Sequence, residues 1–280
     1  MTKTLLFLSI LFSGFACAQE DLLKDIDTLK TTENSQQPAF KALQVVTGQS
    51  TKLTAKNEWY IVVAHRFGDI STGFKDFFGL DDASTKLGVI YGVTDNISLN
   101  LSRETLMKTF ELGAKYNLVK QSDNFPVNIV GYNVMALNTE LDKDNYPHLR
   151  FGNRLSYLTQ ALISRRFDDN FSLQLTPSYV HKNLYDQNIE DKDQFLAGLG
   201  GRYKISKRIS INAEYFVNFD HHSFYKNPLS IGMDIETGGH VFQLLFTNSQ
   251  INSDIGYLTN ATGKWEKGQI FFGFNLYRVF

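Results

Sequence analysis

The chain has 280 residues, a formal net charge of −1 and a single cysteine, Cys17. This near-neutral charge gives no electrostatic basis for binding nucleic acid. Aromatic residues make up 14% of the sequence, with 23 Phe and 13 Tyr against 5 Pro. Such a load suits the core of a soluble all-β protein or the lipid-facing band of a transmembrane barrel, so composition leaves both classes open. No later stretch approaches the ~18 consecutive apolar residues that predict a transmembrane helix.

Residues 1–18 predict a signal peptide. Lys3 supplies a positive charge, residues 5–15 form a short apolar core, and Ala16-Cys17-Ala18 is a small-residue cleavage site. A lipoprotein signal ending at the cysteine is the alternative, but the residues before that cysteine are not the preferred types. Cleavage after the second alanine exports a chain without cysteine and therefore without disulfides.

Residues 19–56 are polar and mixed in charge, and only Asp21 to Leu29 show helical spacing. We expect a periplasmic N-terminal segment that is partly disordered. A small plug and a partner-docking segment are the alternatives.

From residue 57 onward, apolar and polar residues alternate with the period of two that β-strands have. The clearest segments, 108–118, 171–181 and 209–219, exceed the ~5–6 residues of a globular strand and match the ~9–11 of a tilted bilayer-crossing strand. Twelve such segments lie at 57–67, 85–93, 97–103, 108–119, 127–138, 154–167, 171–182, 194–205, 209–219, 229–237, 240–248 and 267–280.

The sequence therefore predicts an all-β fold, a closed antiparallel up-and-down transmembrane β-barrel of about 12 strands over residues 57–280. Segments 127–138 and 154–167 alternate poorly and 97–103 is short, so ten and fourteen strands remain alternatives. Long and short connections alternate along the chain, as in outer-membrane barrels with tight periplasmic turns. One pair breaks the alternation, since 104–107 is shorter than 120–126.

Turn lengths predict the strand register. When a three-residue turn joins two strands, the outward-facing residues of both strands have odd numbers or both have even numbers. A two-residue turn changes this parity from one strand to the next. Thr94-Asp95-Asn96 keeps parity, which sets Val89 opposite Leu101, whereas Gly238-Gly239 flips it and sets Met233 opposite Leu244. Closure requires the first and last strands to pair.

The last strand ends the chain on an aromatic residue. This resembles the C-terminal assembly signal that the barrel-assembly machinery reads, and it departs from that pattern at Arg278. The residues of the signal are Phe272, Phe274, Leu276 and Phe280.

Stretches 38–53, 59–74 and 77–103 together resemble a family of membrane β-barrels of unknown function from Bacteroidota-type Gram-negative bacteria. The resemblance implies location and fold, and it carries over neither an activity nor catalytic residues. It rests on Ala39-Phe40-Lys41-Ala42, Gly48-Gln49-Ser50, Ala64 to Ile70, Phe77 to Asp81, Leu87 to Asn96, Arg103 and Thr109 to Tyr116.

We predict no catalytic, cofactor-binding or metal-binding residues. Asp220-His221-His222-Ser223 is the richest polar cluster, but adjacent histidines point in different directions and no third metal ligand is evident. We expect His65 and Arg66, at the end of the first strand, to pack against the predicted rim loop that follows it. Phe74, Phe77 and Phe78 would form one face of a helical turn. We expect them to pack onto the rim; covering the barrel mouth, lying in the lipid interface and contacting a partner are the alternatives.

Charges on the inward face have mixed signs, which favours mutual neutralisation over a selective pore. Among them, we expect an Arg202–Glu214 contact. The predicted lumen charges are Glu111, Lys115, Arg202, Lys204, Glu214, Asp234 and Glu236.

The leading functional hypothesis is a porin-like outer-membrane barrel, a narrow or gated pore for small solutes. A structural or partner-docking barrel without transport is one alternative, and a lipid-active enzyme is a weaker one. The expected partners are the lipid bilayer and, during biogenesis, the barrel-assembly machinery.

Overall fold

A computed structural model describes residues 38–219, 224–238 and 240–280. Twelve antiparallel strands form one closed barrel in which sequence neighbours pair and the first strand pairs with the last. This confirms the predicted fold class and strand count. The strands are β1 (Trp59–Asp69), β2 (Ala83–Thr94), β3 (Ile97–Glu104), β4 (Thr109–Val119), β5 (Asn128–Asn138), β6 (Leu155–Arg166), β7 (Phe171–Lys182), β8 (Asp193–Lys204), β9 (Ile209–Asn218), β10 (Leu229–Thr237), β11 (His240–Thr247) and β12 (Phe271–Val279).

The register agrees with the turn-length argument. Val89 pairs with Leu101, and Met233 pairs with Leu244. The first of these hairpins contains a bulge next to its turn, where the pairing shifts between Gly92 and Thr94. Closure is antiparallel between β1 and β12, which leaves neither strand with an unpaired edge in the lipid.

The outer face of the barrel is apolar and the inner face polar, as a bilayer-spanning strand requires. Ile211 and Tyr215 are exposed on the outside of β9, whereas Asn212 and Glu214 between them are buried inside. The same alternation sets Gln174 of β7 inside. Within the described ranges, no helix has the length and apolar character to cross a membrane.

The two ends of the barrel differ in their connections. One end, here called the turn end, carries residues 95–96, 167–170, 205–208 and 238 together with the start of β1 and the end of β12. The opposite end, the loop end, carries most of the long connections. These include a kinked 3-10 segment (Ile70–Gly79), a 3-10 turn (Phe151–Arg154), and a helix, α1 (Asp254–Thr259), followed by a 3-10 turn (Trp265–Lys267).

One side of the lumen is apolar, which explains the poor alternation of two strands. The inward residues Val130 and Val134 of β5 and Leu158 and Leu162 of β6 are buried in one cluster with residues of α1. Since lipid covers the outer face and α1 covers the inner one, β5 and β6 are apolar on both sides. The period-two signal is therefore weak where a buried segment lies against the wall.

Candidate functional site

Residues 38–56, here called the plug, occupy the lumen, as in the plug alternative considered for the N-terminal segment. The plug enters from the turn end, where the Lys56 N–H donates to Asp95 Oδ1 at 3.0 Å and the Thr54 N–H donates to Ser98 Oγ at 3.0 Å. Deeper inside it forms a tight hairpin, in which the Val45 N–H donates to the Gly48 carbonyl at 2.8 Å. Residues 19–37 lie outside the described residues.

Side chains of the barrel wall bind the plug through its backbone. The Lys115 ammonium donates to the carbonyls of Ser50 and Leu43, at 2.9 and 3.2 Å. Asn275 Nδ2 donates to the Val46 carbonyl at 2.8 Å. A buried chain outside regular structure must find partners for its peptide groups, and here the polar wall provides them.

Glu214 holds the tip of the plug hairpin. Its Oε1 accepts hydrogen bonds from the backbone N–H groups of Thr47, at 2.7 Å, and Gly48, at 2.8 Å. The same oxygen accepts a hydrogen bond from the Tyr257 hydroxyl at 2.9 Å. Glu214 is only 3% exposed, so these donors replace water around the carboxylate.

The last long connection also enters the lumen, from the loop end. We call residues 248–264 the inner loop; it contains α1, and all six α1 residues are buried. Its Asp254 carboxylate accepts from Lys86 Nζ at 3.2 Å, and the Asp254 N–H donates to Glu111 Oε1 at 2.6 Å. Gln49 of the plug donates to Asp254 Oδ2 at 3.2 Å. Plug and inner loop therefore meet in the middle of the barrel.

Several buried charges in the lumen are paired with opposite charges, as a low-dielectric interior favours. Lys86 Nζ lies 2.7 Å from Glu111 Oε2 and also contacts Asp254. Arg202 Nη2 lies 2.8 Å from Glu236 Oε1. These pairs cross-link strands to each other and to the inner loop.

The expected Arg202–Glu214 contact is wrong. Arg202 lies opposite Asn212, as the turn length implied, but its guanidinium turns to Glu236 and to Ser210 Oγ, at 3.0 Å. The Glu214 carboxylate is occupied by the plug and the inner loop instead. The register set which strand residues are neighbours, but the plug, which is distant in sequence, forms hydrogen bonds to Glu214.

The remaining predicted lumen charges lie on the inner face of the barrel and are buried to different extents. Glu111, Lys115 and Asp234 are buried, and Asp234 Oδ1 accepts from Gln243 Nε2 at 2.7 Å. Lys204 is half-buried near the turn end. Their role in filling the lumen stays a proposal.

His65 and Arg66 face opposite sides of β1. His65 Nδ1 lies 2.9 Å from Thr85 Oγ1, and the ring stacks on Phe274 of β12. Arg66 points into the lumen rather than toward the rim loop; it is 1% exposed, and its Nη2 donates to Thr47 Oγ1 of the plug at 3.3 Å. Strand alternation alone would have indicated this inward position.

The rim-loop phenylalanines do not form a helical turn packed on the barrel. Phe77 and Phe78 have φ angles of 45° and 56°, and Phe74 is 85% exposed. The Asp220–Ser223 cluster lies outside the described residues. In the ranges that are described, no group of three or more His, Cys, Asp or Glu could hold a metal ion.

The proposed assembly-signal residues line the outer face of β12. Phe272, Phe274 and Leu276 are half-buried among neighbouring outward side chains, and Phe280 is exposed. The Arg278 guanidinium, which interrupts the aromatic pattern, lies 4.7 Å from the centre of the Phe280 ring. Recognition by assembly machinery stays a prediction.

The family model of a membrane-bound β-barrel domain (DUF5777) matches residues 40–280. The chain belongs to this family. The match starts at residue 40, so the DUF5777 domain includes nearly all of the plug as well as the barrel. The resemblance stated from the sequence is thereby confirmed as to family and fold.

Several solved structures similar to this DUF5777 barrel are outer-membrane porins or channels. The KdgM porin has a TM-score of 0.52 at 10% identity, covering 79% of this chain and 99% of that one. The NanC porin has a TM-score of 0.50 at 10% identity, with 79% and 98% covered. An outer-membrane channel from Pseudomonas putida F1 has a TM-score of 0.50 at 12% identity, with 82% and 97% covered. A search of curated proteins gave no significant match.

Proposed function

We propose that this chain is an outer-membrane channel for small solutes, held closed by the plug and the inner loop. On this proposal the turn end faces the periplasm and the N-terminal signal directs export. The observation that carries the proposal is the contact at Glu214. This one carboxylate of the wall binds both the tip of the plug and the Tyr257 hydroxyl of the inner loop.

The number of strands indicates that the side chains of the wall alone do not fill the lumen. Barrels of about 8 strands are filled by their own side chains, and those of about 16–18 leave an aqueous channel. A barrel of twelve strands lies between them, and here two chain segments occupy the space. A cavity between the plug and β1–β4 measures only about 40 Å³, room for few waters.

The wall exposed by removing the plug would present many hydrogen-bonding groups, together with apolar side chains such as Leu245, Val62 and Tyr277 on which the plug also packs. Ser98, Ser164 and Gln174 contact the plug through hydrogen bonds, and Gln243 and Asn275 do the same from the other side. Such a surface can be hydrated, whereas an apolar core would collapse. The plug is therefore held by hydrogen bonds to polar wall groups as well as by apolar packing.

Proteoliposome swelling tests this proposal. We expect slow uptake of small neutral solutes by the unmodified full chain, and faster, size-limited uptake when residues 44–49 are replaced by Gly and Ser. Heat-modifiable gel mobility would check that the variant barrel folds, and Glu214→Ala gives a second, milder variant. Unchanged uptake in both folded variants would contradict a channel function.

The second candidate is a structural or partner-docking barrel without transport. The filled lumen favours it, since the plug and the inner loop both lie inside the barrel. Unchanged uptake would support this candidate. We propose no enzymatic activity.

A further inference from the structure

A larger cavity, of about 680 Å³, opens at the loop end beside the inner loop. Tyr146, Tyr185 and Tyr225 line it from three different connections, and Ser253 and Asn260 of the inner loop contribute to its lining. Small-molecule sites typically measure about 300–1,000 Å³. We call this cavity the basin; its volume lies within the range of small-molecule sites.

The tyrosines of the basin offer aromatic faces with hydroxyl groups at their edges. Tyr146 and Tyr185 are 43% and 38% exposed, so their rings are accessible from solvent. Tyr225 is half-buried, and burial raises the pKa of its phenol. Tyrosine supplies a large contact area at low entropic cost.

Amide side chains of the basin are held in fixed orientations. Asn138 Oδ1 accepts from the Glu140 N–H at 2.8 Å, and Asn153 Oδ1 accepts from the Arg150 N–H at 2.8 Å. Each amide therefore has its oxygen engaged by backbone and its NH₂ group left to donate to a ligand. Donors at fixed positions suit a ligand rich in hydroxyl oxygens.

The charges of the basin cancel. Lys182 and Glu190 are each 7% exposed and form a salt bridge, and Lys182 Nζ also donates to Asn260 Oδ1 at 3.1 Å. The other charged lining residues are Arg154 and Asp186, one of each sign. A charged ligand would gain no net attraction here, so the basin favours an uncharged one.

We infer that the basin binds a neutral saccharide, stacked on a tyrosine and hydrogen-bonded to the fixed amides. Sugar rings combine apolar C–H faces with hydroxyl groups that both donate and accept, which matches this lining. Because the inner loop forms part of the basin, the bound sugar would touch the segment that closes the lumen. The inference names a solute class for the channel proposed above, and to that extent rests on it.

Isothermal titration calorimetry on the full chain in detergent tests the site without measuring transport. The probes are maltotriose and cellotriose as neutral trisaccharides, and trigalacturonate as an acidic one of equal length. We expect one or both neutral probes to bind and trigalacturonate to bind at least tenfold more weakly. Failure of both neutral probes, or preference for the acidic one, would overturn the inference.

Two aromatic variants localise the binding. Tyr185→Ala should weaken binding of the neutral probe at least tenfold, because it removes a stacking face from the basin. Phe74→Ala is the matched control, an exposed ring of the rim loop outside the basin lining, and should bind as the unmodified chain does. Equal binding by all three chains would place the sugar elsewhere and reject the site. Binding with no uptake in the swelling assay would instead reject the channel and leave the site standing.

Discussion

Replacing Glu214 by alanine should release the tip of the plug. The change removes the acceptor for the Thr47 and Gly48 N–H groups and for the Tyr257 hydroxyl, at 2.7, 2.8 and 2.9 Å. Hydrogen bonds to a charged group contribute about 1.5–3 kcal/mol each. Water entering the vacated space would satisfy part of the loss, so we take about 3 kcal/mol as the net cost. That corresponds to about a 100-fold larger ratio of unseated to seated plug.

Native-state hydrogen exchange measures this ratio directly. The amides of Thr47 and Gly48 should exchange about 100-fold faster in Glu214→Ala, since the opening free energy falls by about 3 kcal/mol. Glu214→Gln retains one acceptor oxygen and should lie between the alanine variant and the unmodified chain. Exchange at the strand amides of β4 and β5 should be unchanged, which shows that the barrel itself is intact.

Gln160→Ala is the matched control for a buried polar side chain of the wall. Gln160 is 4% exposed and donates to Ser178 Oγ at 2.9 Å, within the wall rather than to the plug. Its loss should leave exchange in the plug unchanged. If Glu214→Ala and Gln160→Ala exchange alike at Thr47 and Gly48, the carboxylate does not hold the plug and the reasoning fails.

Three further changes test the barrel, the plug entrance and a turn. Ala213→Arg on the outer face should lower the free energy of unfolding by about 2–4 kcal/mol in urea titrations, because it places a guanidinium in lipid; no loss would mean that this face is not in lipid. Gly92→Ala should speed exchange of the plug amides near its entrance, since the added Cβ would lie 1.8 Å from a plug carbonyl oxygen; Gly88→Ala, whose Cβ meets a side chain at 3.2 Å, should have no such effect. In the β6–β7 turn, backbone N–H groups hold the pKa of Asp168 below its usual value of 3.8, so its stabilising effect is present at neutral pH and lost as the pH falls through the lowered pKa. Asp168→Ala should therefore unfold at a lower urea midpoint at neutral pH and lose that difference in acid; a pH-independent difference would contradict this.

The barrel could be predicted from the sequence because its strands contact lipid. A bilayer forces every second residue of a strand to be apolar, so segments such as 209–219 identified strands without knowledge of their neighbours. Turn length then fixed the register, as in the pairing of Val89 with Leu101. Both signals are local in sequence; they predicted the fold and the register, whereas the weak alternation of residues 127–138 and 154–167 left the strand count open.

The contents of the lumen could not be predicted in the same way. What lies against an inward residue depends on segments far away in sequence, as 166 positions separate Gly48 from Glu214. The plug carries a faint signal, since Phe40, Val45 and Val46 are apolar within a polar lead. The inner loop carries another in Ile255, Tyr257 and Leu258. Neither pattern has a period that reveals its partner.

Single-channel recording in planar bilayers tests the central claim most directly, that a plug closes a lumen otherwise wide enough to conduct. The full chain should be silent or show rare, small openings. The same chain with residues 44–49 replaced by Gly and Ser should show frequent openings of larger conductance. A large, steady conductance in the unmodified chain, or silence in the plug variant with its barrel folded, would contradict the account.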